Sequence, residues 1–197
     1  RELDSRLAVR SREHVGASFL AVLLLVYYEQ GMSITACRPR ALLITPPVYD
    51  FAFYDLFAKP YGLLRIGRWL AEAGWEVCHV NALDYGDRPS TAEYGRPKRR
   101  RDGTGHLFRR PVPWPSGEPP VARRFARYGI LETSLDDRLL RCLADDGSRA
   151  PVEVVLIGTG MTYWYPGVRE VVSRVRRHAP RVPIVAGGIY ATLLPEH

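Results

Sequence analysis

Three short stretches hold the residues with which this chain could grip a ligand. Thr45-Pro46-Pro47 closes one apolar run, Gly158-Thr159-Gly160-Met161-Thr162 a second, and Gly187-Gly188-Ile189-Tyr190 a third. The chemistry on offer is non-covalent capture, because paired glycines let backbone approach a bound molecule closely. Tyr163, Trp164 and Tyr165 add aromatic faces suited to a large planar ligand or to a neighbouring domain. Cysteine chemistry lacks a motif: Cys37, Cys78 and Cys142 lie 41 and 64 positions apart, which fits no short metal or redox spacing. Reduced thiols in a cytoplasmic protein are the expectation. His79, within an apolar stretch, reads as structural, and His106 and His178 read as solvated.

The elements that must position these stretches follow from hydrophobic patterning. Ala41–Thr45 reads as a fully buried parallel strand. Pro60 starts a helix with Leu63, Ile66, Leu70 and Ala73 on one face, stopped by Gly74, and Glu76–Val80 is a second strand. Ser134-x-x-Asp137 offers a capping arrangement for a helix carrying Leu135, Leu139, Cys142 and Leu143. Val152–Ile157 is the third strand. Val168, Val171, Val172, Val175 and Ala179 share one face of the next helix, and Val182–Ala186 is the fourth strand. Strands alternating with helices predict an α/β fold with a parallel sheet covered by helices on both faces. In such sheets ligands sit beyond the carboxyl ends of the strands, where all three stretches fall.

The charge is concentrated. The chain carries 28 basic and 21 acidic residues, a net +7, and residues 87–127 supply eleven of the basic and four of the acidic ones, so the rest is neutral. A uniformly basic nucleic-acid coat is excluded. The insertion 87–127, with seven prolines from Pro89 to Pro120, predicts a long loop without a fold pattern of its own, laid over another surface. The alternative is a nucleic-acid module in which Arg96–Arg101 meets phosphates and Phe108, Trp114 and Phe125 stack bases.

Residues 41–197 resemble the amino-terminal domain of cobalamin-binding-domain radical SAM proteins. The blocks that carry the resemblance are ALLITPPVYDF, KPYGLLRIGRWL, GTGMTYWYPGV and VPIVAGGIYATLLPEH. The resemblance implies a flavodoxin-like, Rossmann-like sheet with cobalamin along its carboxyl edge. The cofactor-binding residues it implies are Thr45, Pro46, Pro47, Gly158, Thr159, Gly160, Met161, Thr162, Gly187, Gly188, Ile189 and Tyr190. Within that set Thr159-Gly160-Met161 corresponds to a Ser-x-Leu motif whose hydroxyl faces the cofactor base. Two departures stand beside it. The histidine-ligand motif Asp-x-His-x-x-Gly is missing after the first strand. So is Cys-x-x-x-Cys-x-x-Cys, which in the full-length family holds the iron-sulfur cluster that binds S-adenosylmethionine. The resemblance therefore implies a cobalamin-binding-like domain that is inactive alone and partnered by a radical SAM barrel or another subunit. A flavodoxin-like nucleotide binder shares the same general pattern.

Residues 1–40 form an extension with Met32 as the expected native start, and the uncharged run Val15–Tyr28 is shorter than the roughly 20 residues a membrane helix needs. At the other end the sheet is expected to be incomplete, lacking a fifth strand.

Overall fold

A computed structural model of the chain describes residues 38–56, 59–114, 124–144 and 149–197. The extension 1–40, with its run Val15–Tyr28, lies almost entirely outside them. In chain order the elements are β1 (Arg40–Thr45), β2 (Val48–Asp50), α1 (Tyr61–Glu72), β3 (Glu76–Asn81), α2 (Arg88–Tyr94), β4 (Arg109–Pro111) and β5 (Ala126–Tyr128). They continue with α3 (Glu132–Leu143), β6 (Val152–Thr159), a 3-10 turn (Thr162–Trp164), α4 (Tyr165–His178), β7 (Ile184–Gly188) and α5 (Ile189–Leu193).

Four strands form a parallel sheet in the order β3-β1-β6-β7. Strand side chains alternate between faces. Leu42, Ile44, Val80, Val155 and Ile157 therefore share one face, where Leu135 and Leu139 of α3 and Val168, Val171 and Val175 of α4 cover them in one buried core. On the other face Leu43 lies against Gly67 and Gly158 against Leu63, both from α1. The fold is thus α/β, with a four-stranded parallel sheet flanked by helices. Arg40 pins the start of β1: its buried guanidinium donates to the carbonyls of Ala150 (2.9 Å) and Cys142 (3.0 Å) and pairs with Glu76.

Four expectations need correction. Ser134 does not cap α3; the helix begins at Glu132 after Leu131, and Ser134 is buried inside it. Strands β6 and β7 run further than their apolar cores, because Gly158 and Thr159 pair in register with Gly187 and Gly188, so these residues are strand ends rather than loop. The thiols of Cys78 and Cys142 are joined in a disulfide, their Cα atoms 6.5 Å apart, because α3 packs on the face where Cys78 emerges from β3. Distance along the chain does not limit such pairing, and the cysteines no longer point to the cytoplasm.

The fourth correction concerns residues 87–127. They hold structure of their own, a short helix (α2) and two strands that complete a second, antiparallel sheet in the order β2-β5-β4. The surface they cover belongs to the same chain, since β2 follows Pro47 directly. Asp87 caps α2 by accepting from the Ser90 amide (3.0 Å), and its carboxylate also accepts from Arg138 of α3 (2.6 Å), which fixes the start of the segment to the main body.

Candidate functional site

At the carboxyl edge of the parallel sheet the two halves differ. Beyond β1 the chain is closed over. Thr45, Pro46 and Pro47 are buried, and the Thr45 hydroxyl is 3.0 Å from Nε2 of His79, an exposed residue on β3. The second sheet roofs this half. Val48, Ala126 and Tyr128 form its small core with Phe53, Leu83 and Trp164.

Trp164, read from sequence as a ligand-stacking or domain-docking ring, is used internally. It packs edge-on against Phe53 with ring centroids 5.1 Å apart, and its indole N–H donates to Asp50 Oδ2 (2.9 Å). Phe51, Trp114 and Phe125 stack on one another, with centroids 4.8 to 5.1 Å apart, and Phe108 is buried in the main core. The rings proposed for base stacking are therefore committed to the fold.

Beneath that roof lies a charge cluster that sequence reasoning missed. Arg127, 2% exposed, sits on β5 and donates from Nε and Nη2 to the two carboxylate oxygens of Glu170 on α4 (2.9 and 3.0 Å) and from Nη1 to the Ile130 carbonyl. Tyr49 on β2 donates its phenol to the same carboxylate (2.9 Å), and Arg174, itself paired with Asp136, approaches from the far side. Burial alone would raise the Glu170 carboxyl; the hydrogen bonds and charge of Arg127, with help from Tyr49 and Arg174, reverse that and hold it below the usual carboxylate range. Tyr49 is pushed up to about 12, first by burial and then by the charge and hydrogen bond of Glu170. Such a bidentate, charge-assisted pairing fastens α4 to the second sheet.

A difference titration checks this. Absorbance at 295 nm for the chain minus its Tyr49→Phe variant is expected to show no phenol ionising below about pH 11; a step near the ordinary tyrosine value of about 10 would remove Glu170 as its acceptor.

The β6/β7 half is open. The Thr159 hydroxyl, expected to face a ligand, is already engaged: it donates to the Gly187 carbonyl (3.0 Å) and accepts from the Ala191 amide (3.4 Å). Tyr190 donates its amide to the Gly160 carbonyl (3.1 Å), joining the two loops. Gly188 has φ +118°, and a Cβ there would lie 2.9 Å from Thr159 Oγ1, so its lack of a side chain lets β7 run close to β6. Around this seam Met161, Tyr163 and Ile189 stand 43, 56 and 52% exposed, while Thr162 and Tyr190 are half-buried. Tyr190 also bonds Nδ1 of His197 (2.8 Å).

Comparison with known proteins gives nothing further. The chain matches no protein-family model, no curated protein and no solved structure.

The twelve residues singled out from sequence thus separate into two groups. Thr45, Pro46 and Pro47 lie under the roof, whereas Gly158–Thr162 and Gly187–Tyr190 come together at one seam. Among the described residues no group of three or more His, Cys, Asp or Glu side chains could hold a metal ion, and no helix is long and apolar enough to cross a membrane.

Proposed function

We infer that the open β6/β7 half of the carboxyl edge is a platform for a large planar cofactor, cobalamin, and that the chain acts as a cobalamin-binding-like domain of a radical SAM enzyme. The observation that carries this reading is the contrast between the two halves. The chain covers the β1 end with its own second sheet yet leaves a glycine-lined seam edged by exposed Met161, Tyr163 and Ile189. The strand order β3-β1-β6-β7 is compatible with a flavodoxin-like sheet, whose binding crevice lies at the carboxyl ends of the strands.

The residues fit a stacked corrin better than a coordinated one. The loop after β1 contains no histidine and its prolines are buried, so that loop offers cobalt no imidazole. Gly160, Gly188 and Ile189 would meet the ring through backbone and apolar contact, and Met161 and Tyr163 would border it and exclude water. When bound, cobalamin supplies cobalt–carbon bond chemistry; the protein's share is to hold and orient it. The iron-sulfur cluster and S-adenosylmethionine belong to a barrel or subunit beyond this chain. A cytoplasmic location, expected from the cysteine spacing, loses that support to the Cys78–Cys142 disulfide.

Reconstitution with hydroxocobalamin, followed by removal of free ligand, tests it. Retained corrin absorbance is expected, reduced at least severalfold in Tyr163→Ala and Ile189→Lys, both surface changes. A desalted protein with no corrin absorbance refutes the proposal, and retention of flavin mononucleotide in a parallel sample would replace cobalamin with a nucleotide.

A further inference from the structure

The basic stretch of the insertion has a definite shape. Residues 97–106 fold into a tight hairpin: the His106 amide donates to the Lys98 carbonyl (2.9 Å), Arg100 to Thr104 (2.8 Å) and Gly103 to Arg100 (3.2 Å). The tip is fixed by Asp102, which accepts from the amide and hydroxyl of Thr104. Buried Asp55 anchors the whole. It exchanges backbone hydrogen bonds with Gly105 in both directions (2.9 and 3.1 Å) and takes the Arg99 guanidinium on its carboxylate (2.8 Å). The same guanidinium lies over the Tyr85 ring, 4.1 Å from its centroid. Tyr85 follows β3, so the hairpin stands by the carboxyl edge on the roofed side.

One arginine of the run is therefore structural, and it holds its neighbours in place. Arg96, Lys98, Arg100 and Arg101 are all exposed, and among the described residues none takes part in an ion pair. Elsewhere in the segment Arg110 pairs with Glu132, Arg127 with Glu170, and Arg109 donates to the Arg124 carbonyl, while exposed Arg88 and Arg124 stand apart from the run. Lys98, Arg100 and Arg101 on the anchored hairpin, with Arg96 just before it, form a preorganised electropositive knob, and preorganisation lowers the entropy cost of binding.

We propose that this hairpin is a docking site for a short acidic segment of a partner protein, separate from the cofactor platform. Charge complementarity sets the sign, and two observations choose peptide over nucleic acid. Phe108 and Phe125 are buried, and half-buried Trp114 is packed against Phe51 and Phe125, so these rings offer bases a poor platform. Exposed Glu93 and Asp102 flank the knob, so the positive footprint spans a few residues and repels the continuation of a long polyanion. A run of glutamates or aspartates a few residues long fits that footprint.

The experiment uses the full chain and a fluorescein-labelled octaglutamate peptide, read by anisotropy at low and at 200 mM salt, with a labelled uridine 20-mer as the competing probe. The peptide is expected to bind at low salt, to weaken as salt rises, and to bind about tenfold more weakly to the Arg100→Ala/Arg101→Ala variant, the loss of two exposed ion pairs. Arg141→Ala/Arg169→Ala, which removes two exposed arginines on α3 and α4, is expected to change affinity less than twofold. The proposal is overturned by absence of peptide binding, by equal losses in the two variants, or by tighter binding of the RNA than of the peptide.

Discussion

Replacing Arg127 by methionine is expected to destabilise the chain by about 3–5 kcal/mol, the usual cost of removing one partner of a buried ion pair. Almost nothing of Arg127 reaches solvent, and its loss leaves the Glu170 carboxylate enclosed with only Tyr49 and Arg174 as partners. The attraction itself is not the main quantity at stake. Desolvation of both groups offsets much of it, so the large cost arises from leaving a buried carboxylate short of its bidentate partner, with Arg174, shared with Asp136, as its remaining cation. It follows that Arg127→Met/Glu170→Leu should recover a good part of the stability lost by Arg127→Met alone, as paired apolar replacements often do.

The acid side of the stability profile carries the same signature. Glu170 is held below the usual carboxylate range in the folded chain, so the unfolded chain takes up a proton first as pH falls. Its contribution is complete above about pH 4.3, the ordinary glutamate value, and is lost as pH falls through the folded value. In Arg127→Met that loss should shrink or vanish. Urea unfolding of the chain and both variants between pH 3 and pH 7 measures each effect. If Arg127→Met unfolds within about 1 kcal/mol of the parent at pH 7, the pair does not fasten the roof.

Why this cluster escaped sequence reading has a physical reason. The parallel sheet was legible because ALLIT and VVLI are aliphatic runs that can only be buried, and the valines of α4 recur at helical spacing. The second sheet has no such mark. Its strands, Val48–Asp50, Arg109–Pro111 and Ala126–Tyr128, are three residues long and read as VYD, RRP and ARY. Only tertiary pairing makes them strands, and Arg127 looked like one more surface cation until Glu170, 43 positions away, was placed beside it. The density of aromatics from Tyr49 to Tyr54 was the available signal, since that many rings in one loop need a partner surface.

The site was legible in the same partial way. Gly187 and Gly188 read as a pair that lets backbone approach a ligand closely, but their ladder with Gly158 and Thr159 depends on register, which composition does not encode. Cys78 and Cys142 show the converse, a pairing made by β3 and α3 that no spacing rule describes.

A second large effect is expected at Gly167, where two rules predict opposite signs. Gly167 lies in the first turn of α4, and alanine is intrinsically the better helix former by about 1 kcal/mol. Yet a Cβ at this position would overlap the carbonyl oxygen of Pro47 and lie 2.9 Å from its carbon. The Pro47 side of that contact is backbone and a Cβ has no rotamer to change, so α4 would have to lift off the loop that follows β1. Overpacking of this kind commonly costs about 1–3 kcal/mol. Here the displaced helix also carries Glu170 away from Arg127 and draws Trp164, at its foot, from Asp50. Gly167→Ala is therefore expected to destabilise by about 3 kcal/mol, at the upper end of that range. Gly62→Ala is the matched control, because a Cβ there meets nothing within 4 Å; it should be neutral or stabilising by up to about 1 kcal/mol. Thermal and urea unfolding of the two variants separate packing from propensity. Equal stability of Gly167→Ala and the parent would mean that α4 does not rest on Pro47.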